Sequence, residues 1–327
     1  MVLILNENDV ERVLPISAMD KVMEKVEKAF KEYGKGNAQM PPKQYLFFKQ
    51  YNGDLRIMPA YIPSFGFAST KIVNVHPDNP KQGLDTVMAI IVLNDPSNGL
   101  PVAVMSATHI TRMRTGAVAG VATKYLARKD SEILAVIGAG AQAMFQIASV
   151  VQASSIRSIM IYDIDVKKAM KLGKIANQMF GINCKVMKKV KEVREADIVC
   201  SVTPVRKPII KAEWIKPGTH INAIGADAPG KQEYEIDVLK NAKIVVDGIE
   251  QASHAGEINV AWRKGIIGKD DIYAELGQIV AGIKKGRKSS NEITLFDSTG
   301  LAIQDLAAAV LVYKLARKKH IGKELKI

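Results

Sequence analysis

Only two cysteines, Cys184 and Cys200, occur in the 327 residues. They are too few for a disulfide framework and lack the close spacing of a zinc site, so no metal is expected and a reducing cytoplasm is the expected setting. Long apolar runs are missing as well. The N-terminal MVLILNENDV carries an apolar run of four residues with no basic flank, and nothing approaches the roughly 18 apolar residues of a membrane span. The chain is therefore expected to be soluble, unexported and without a membrane partner. Acids are outnumbered, 33 against 46 lysines and arginines, for a net charge of +13. That excess raises nucleic-acid binding as a possibility. The cations are scattered, however, with local clusters only at KKVKEVR (188–194) and ARKKH (316–320), and no aromatic residues interleave with them. Such runs read as solvated helical faces, and no nucleic-acid partner is expected. The same excess would attract small anions and a dinucleotide pyrophosphate.

A chain of this length with 47% hydrophobic residues can fill two medium cores. Ser17 is expected to open the amphipathic helix SAMDKVMEKVEKAFKEYGKG: Asp20 stands three residues on, Val22, Val26, Ala29, Phe30 and Tyr33 recur at helical spacing, and Gly34 ends the pattern. From about 43 to 105, short runs (QYLFFK, DLRIMPAY, FASTKIVNV, TVMAIIVLND, PVAVMSA) alternate with Asn-Gly, Pro and Asp-Pro turn signals, the pattern of a mostly antiparallel sheet. Near residue 117 strands begin to alternate with helices, at 132–138, 158–163, 196–202, 220–225, 243–248 and 294–298. Their near-continuous apolar character predicts parallel strands covered on both faces. The closing segment LAIQDLAAAVLVYKLARKK is apolar on more than one face and is expected to pack against both domains.

The first of these parallel strands runs into VIGAGAQA, in which Gly138, Gly140 and Ala143 spell G-x-G-x-x-A. The first glycine permits a tight turn, the second lets backbone approach a pyrophosphate at a helix N-terminus, and the last position needs only a residue small enough for helix and strand to pack closely. Alone the motif is weak, but here it follows a strand and opens the helix QAMFQIASVVQA, and Asp163 ends the next strand, 25 residues after Gly138. Asp163 would accept hydrogen bonds from the adenosine ribose and repel a 2′-phosphate, so NAD is expected over NADP; the bland alternative is a helix N-cap before DVKKAM. Thr203, Asp227 and Ser298 likewise follow apolar strands, at the edge where open α/β sheets bind ligands.

Longer stretches, HINAIGADAPGKQE (220–233), KIVVDGIEQASHAGEINVA (243–261), EITLFDSTGLAIQDLA (292–307) and QMPPKQYL (39–46), resemble the ornithine cyclodeaminase and mu-crystallin family, most closely its archaeal alanine dehydrogenase branch. The resemblance covers essentially the whole chain. It implies an α/β protein with a Rossmann-type doubly wound parallel sheet domain, 118–303, inserted in an α+β substrate and dimerisation domain, 1–117 with 304–327, and it implies a homodimer. Within the family pattern Lys71 is the proton donor and acceptor, Arg114 lies near substrate carboxylate and cofactor, Asp227 lies near the reacting amine carbon, and Lys43 and Arg56 line the substrate pocket. The cofactor would be held by Arg114, Gly138, Gly140, Ala141, Gln142, Asp163, Thr203, Gly225, Ala226, Asp227 and Ser298.

Physical chemistry suits these implied roles. A guanidinium clamps an α-keto acid carboxylate through two parallel N–H bonds. A partly buried lysine crowded by Lys43 and two arginines loses enough basicity to exchange protons near neutral pH. Asp227 would favour an ammonium or iminium. His76 and His254 lack any triad or metal-ligand spacing and are assigned structural roles. The activity implied is NAD-dependent interconversion of L-alanine with pyruvate and ammonia by hydride transfer. The alternatives are an ornithine cyclodeaminase using NAD transiently, and a ketimine reductase or binding protein of the mu-crystallin type. Relatives of the cyclodeaminase type carry an acid where this chain has Arg56, and the mu-crystallin branch carries Asn-Arg-Thr where it has Asp163-Ile164-Asp165.

Overall fold

A computed structural model describes residues 1–326. Its contacts divide the chain into two compact units, Met1–Arg114 together with the chain from Leu301 onward, and Thr115–Gly300.

The first unit starts with strand β1 (Val2–Leu5), helix α1 (Glu7–Val13) and helix α2 (Met19–Gly34). The expected helix start at Ser17 is displaced. Ser17 lies in a short 3-10 turn, Ile16–Ala18, and Ala18 precedes α2 without any side-chain cap. The turn's own carbonyls already take the Ala18 N–H, at 2.8 Å, and the Met19 N–H, so a hydroxyl has little left to satisfy. The reciprocal cap belongs instead to α1, where Asn6 accepts from the Asp9 N–H at 2.9 Å and Asp9 accepts from the Asn6 N–H at 3.2 Å. Strands β2 (Gln44–Phe48), β3 (Gly53–Ile62), β4 (Phe67–Val75), β5 (Val87–Asn94) and β6 (Pro101–Ser106) follow, each antiparallel to the next. Helix α3 (Thr108–Leu126) then carries the chain into the second unit.

Along β3 and β4 the burial alternates. Arg56, Met58, Ala60 and Ile62 share one face with Ser69, Lys71 and Val73, all buried. The other face is apolar too, and its register aligns Leu46 with Leu55, Ile57 with Ile72 and Ile90, and Val92 with Val104. These residues are only partly covered, and Leu46 and Ile90 are exposed.

The second unit holds β7 (Ile133–Ile137), α4 (Ala143–Ala153), β8 (Ser158–Tyr162), α5 (Val166–Phe180), β9 (Asn183–Val186), β10 (Ile198–Ser201), β11 (His220–Ala223), α6 (Ile236–Asn241), β12 (Ala242–Val246), α7 (Ile249–Ala255), α8 (Asn259–Arg263), β13 (Ile272–Glu275), α9 (Leu276–Val280) and β14 (Ile293–Asp297). The strands form one eight-stranded sheet, β13-β12-β14-β11-β10-β7-β8-β9, parallel throughout. Because side chains alternate along each strand, Leu134 and Val136 pack with Ala143, Ile147 and Val150 of α4 on one face, while Ala135 and Ile137 enter a second core with Ile221, Ala223 and Tyr234. Strand order reverses between β7 and β10, which makes the ends of these two strands the switch point of a doubly wound sheet.

Helix α10 (Ala302–Lys319) and β15 (Lys323–Leu325) return to the first unit. There β15 pairs with β1, and β1 with β6, to complete the sheet β15-β1-β6-β5-β4-β3-β2. The helix lies on α2 and on the buried face of β3, β4 and β5. Almost every residue from Ala302 to Val310 is fully buried, including Ala307, Ala308 and Ala309, small side chains that let a helix approach a sheet closely.

Candidate functional site

Cations converge on the buried face of the first unit's sheet. Lys71, only 1% exposed, sits opposite Met58 across the β3–β4 ladder, one inward position from Arg56, which faces Val73. Its ammonium lies 2.8 Å from each carboxylate oxygen of Asp305 on α10. Arg114, at the first unit's end of α3, donates from Nε to the same Asp305 Oδ1 at 2.9 Å and from Nη1 to Gln304 Oε1 at 3.0 Å. Arg56 makes a two-pronged pair with Asp54, at 2.7 and 3.1 Å, and its guanidinium is 5.5 Å from the centre of the Tyr45 ring. Lys43 is half-buried just before β2.

Burial lowers the Lys71 pKa to about 7, helped by the charges of Arg114 and Lys43 and opposed by Asp305. Burial works to raise the Asp305 carboxyl, but Arg114 and Lys71 outweigh it and hold the group below its ordinary range. The lysine is thus more deeply buried than its sequence context suggests. The opposite charge beside it comes from Asp305 within the same unit, a residue that sequence reading passed over. Two polar atoms of this face, Ser69 Oγ and Gln304 Nε2, are buried without a protein partner.

At the switch point of the second unit, Gly138 adopts φ +102°, a conformation open to glycine and costly for other residues. A Cβ on Gly140 would meet nothing within 4 Å, so backbone there faces open space. Ala141 is exposed, and Gln142 precedes α4 without a side-chain cap, although the Ala143 and Phe145 N–H groups of the first turn already donate to the Gly140 and Gln142 carbonyls at 3.1 Å. Asp163, at the end of β8, accepts from the Ala139 N–H at 2.7 Å and the Asp165 N–H at 2.8 Å. The cap of α5 is Asp165, whose side chain accepts from Lys167 and Lys168, so capping does not explain Asp163. Ile164 beside it is 93% exposed. The turn therefore suits a dinucleotide: a glycine bend, an open cradle, an uncapped helix start and a carboxylate at the next strand end.

Thr203 follows β10, and Gly225, Ala226 and Asp227 follow β11. Thr203 and Gly225 are joined through a residue absent from the sequence-level assignment, Glu233. Its carboxylate is fully buried, and burial pushes its pKa up against the hydrogen bonds from Ser201, Thr203 and Gly225. Glu257, beneath it, accepts from the Glu233 and Tyr234 N–H groups at 2.8 to 2.9 Å. Asp227 pairs with Lys231 at 2.5 Å. Ser298, after β14, donates to Asp247 at 3.1 Å. His76 stacks on Phe48, with ring centres 6.0 Å apart, and would clash with any Cβ at Gly53, a packing role. His254 is exposed on α7. Among the described residues no group of three or more His, Cys, Asp or Glu side chains could hold a metal ion, and no helix is long and apolar enough to cross a membrane.

A Rossmann-type dinucleotide unit and a separate unit with a buried lysine–arginine–aspartate cluster define the class: a two-unit nicotinamide-type oxidoreductase. The chain belongs to the ornithine cyclodeaminase/mu-crystallin family, whose sequence pattern it matches over residues 3–320. It is 50% identical to the alanine dehydrogenase of Archaeoglobus fulgidus over 324 residues, 99% of this chain and 98% of that protein. Among solved structures, an archaeal alanine dehydrogenase dimer with bound NAD superposes with a TM-score of 0.94 at 50% identity, covering 100% of this chain and 99% of that one. The Δ1-pyrroline-2-carboxylate reductase of Thermococcus litoralis, in complex with NADH and L-proline, gives a TM-score of 0.95 at 40% identity, covering 99% of this chain and 100% of that one.

Proposed function

We propose that the protein is an NAD-dependent alanine dehydrogenase that interconverts L-alanine with pyruvate and ammonia. The observation that carries this reading is Lys71: a lysine deep in a sheet, beside two other cations, with its pKa brought down to about 7. Such a group gives up and takes back a proton at physiological pH. NAD is the dinucleotide, in keeping with the NAD-bound archaeal relative and with the negative charge of Asp163, which would repel a 2′-phosphate. Bound at the G-x-G-x-x-A turn, it supplies a hydride to the substrate α-carbon or accepts one from it. Gly138, Gly140, Ala141 and Gln142 would hold its pyrophosphate, and Asp163 its ribose. Thr203, Gly225, Ala226 and Ser298 would line its path along the strand ends.

In the reductive direction the chain's own residues orient the acid and move protons. Arg56 and Lys43 hold the keto-acid carboxylate, and Asp54 orients the Arg56 guanidinium by accepting from its Nε and Nη2. Arg114 would act near the substrate carboxylate and the cofactor. Lys71 donates the proton that leaves with the carbonyl oxygen as water, and in the oxidative direction it takes that proton back. Asp227 favours the positive charge that develops on nitrogen. Asp305 keeps Lys71 and Arg114 in register by accepting from both.

A second reading, reduction of a cyclic imine such as Δ1-pyrroline-2-carboxylate, is favoured by the likeness to the Thermococcus litoralis reductase. The carboxylate clamp and proton donor would be the same, and ammonia would be unnecessary. The guanidinium of Arg56 speaks against ornithine, whose distal amine it would repel. The apolar outer face of the first sheet, running from Leu46 through Ile72 and Ile90 to Val104, supports assembly as a homodimer through this surface.

Mixing the protein with pyruvate, ammonia and NADH is expected to consume absorbance at 340 nm, with NADPH a poor substitute. Loss of NADH with pyrroline-2-carboxylate at a far higher kcat/KM, and none with pyruvate and ammonia, would replace alanine by the cyclic imine. Ornithine yielding proline with no net NADH change would make the protein a cyclodeaminase.

A further inference from the structure

We propose that Glu233 is a positioning residue for the dinucleotide, holding the loops after β10 and β11 in their binding shape before the cofactor arrives. Oε1 accepts from the Thr203 N–H at 2.7 Å and the Thr203 hydroxyl at 2.6 Å, while Oε2 accepts from the Ser201 hydroxyl at 2.6 Å and the Gly225 N–H at 3.1 Å. An ionised carboxylate is acceptor-only and can serve four donors at once. No neutral side chain of this size offers that many acceptor sites.

The neighbouring residues are fitted to this latch. A Cβ on Gly225 would lie 2.3 Å from the Thr203 carbonyl oxygen and 2.5 Å from Glu233 Oε2, so only glycine lets the two loops close on the carboxylate. The Thr203 methyl lies 3.1 Å from where a Cβ on Gly138 would project, so the latched loop abuts the glycine turn. Glu257 in turn fixes the backbone of Glu233 and Tyr234. The latch thus connects the ends of β10 and β11 to the turn after β7, the strand ends on either side of the switch point. Loops already held in place need not be ordered during binding, and that saving appears as affinity.

The inference rests on the reading that NAD lies along these strand ends, and the test separates the two. Glu233→Gln keeps the shape but turns an N–H₂ toward donors. NADH fluorescence titration is expected to show about a tenfold rise in the dissociation constant. The KM for pyruvate at saturating NADH and the pH midpoint of turnover should stay unchanged, a split that general loosening of the fold would not give. A folded variant that binds NADH normally overturns the proposal. Should the variant fail to fold, hydrogen exchange on the unaltered, NADH-free protein decides. The Thr203 and Gly225 amides are expected to be protected like strand amides, and exchange at exposed-loop rates overturns the latch. The placement of NAD is tested by Gly140→Val, which fills open space and should abolish NADH binding. Normal binding by that variant removes the underlying reading, whatever Glu233 does.

Discussion

In the first unit two buried cations, Lys71 and Arg114, gather around one acid, Asp305. In the second, three buried acids sit among backbone amides and hydroxyls: Glu233, Glu257 and Asp297 accept from Thr203, Gly225, Tyr234 and Ile258. Both arrangements carry a desolvation cost, and they differ in what they return. Burial brings the lysine down to about 7 and Asp297 up to about 8, yet only the lysine belongs to a cluster with the substrate-type clamp. The acids each fix short stretches of loop through directional bonds. The proposed division is proton exchange in one unit and loop shape in the other, so perturbing each should damage a different step.

The largest expected effect tests that division directly. Lys71→Ala should reduce turnover by about 10³-fold while fluorescence titration finds NADH affinity within about twofold of the unaltered protein. Lost cofactor binding would show that the two units do not divide the work in this way.

Next comes pH. Lys71 is protonated below about 7 and neutral above it, so kcat/KM for pyruvate reduction should fall as pH rises through 7, and alanine oxidation should gain over the same interval. Asp305 raises the lysine's pKa, so Asp305→Asn should move that midpoint to lower pH. It should also cost about 3 kcal/mol of stability in denaturant titration, because two buried cations lose their shared partner. An unmoved midpoint would detach Asp305 from proton exchange. The smallest effect on chemistry should come from the outer face: Ile90→Asp, on an exposed position of β5, is expected to halve the mass measured by light scattering while leaving NADH binding intact.

Much of the second unit is legible in sequence because its strands are apolar on both faces. All six segments expected from residue 132 onward are strands of the parallel sheet, and the glycine turn sits where the motif places it. Strands β9 and β13 escape notice because NCKV and IYAE are short and half-exposed at or near the sheet edges. The two acids that organise the clusters were hidden for different reasons. Asp305 stands in a helix that looks uniformly apolar, and its partner Lys71 is 234 residues away, a separation no periodicity spans. The one signal was the pair Gln304-Asp305 itself, two polar residues amid LAIQDLAAAV. Glu233 follows GKQ and reads as part of a solvated turn until folding folds it under Gly225.

The insertion of residues 115–300 within the other unit also sets an order of manufacture. A ribosome releases β1 to β6 long before it makes α10, so during synthesis the inward side of that sheet, Lys71 included, waits uncovered while the whole parallel-sheet unit is produced and free to fold. The cluster of Lys71, Arg114 and Asp305 is therefore the last feature to be completed, and any chain cut short before Ala302 would carry the glycine turn with no acid to seat its lysine.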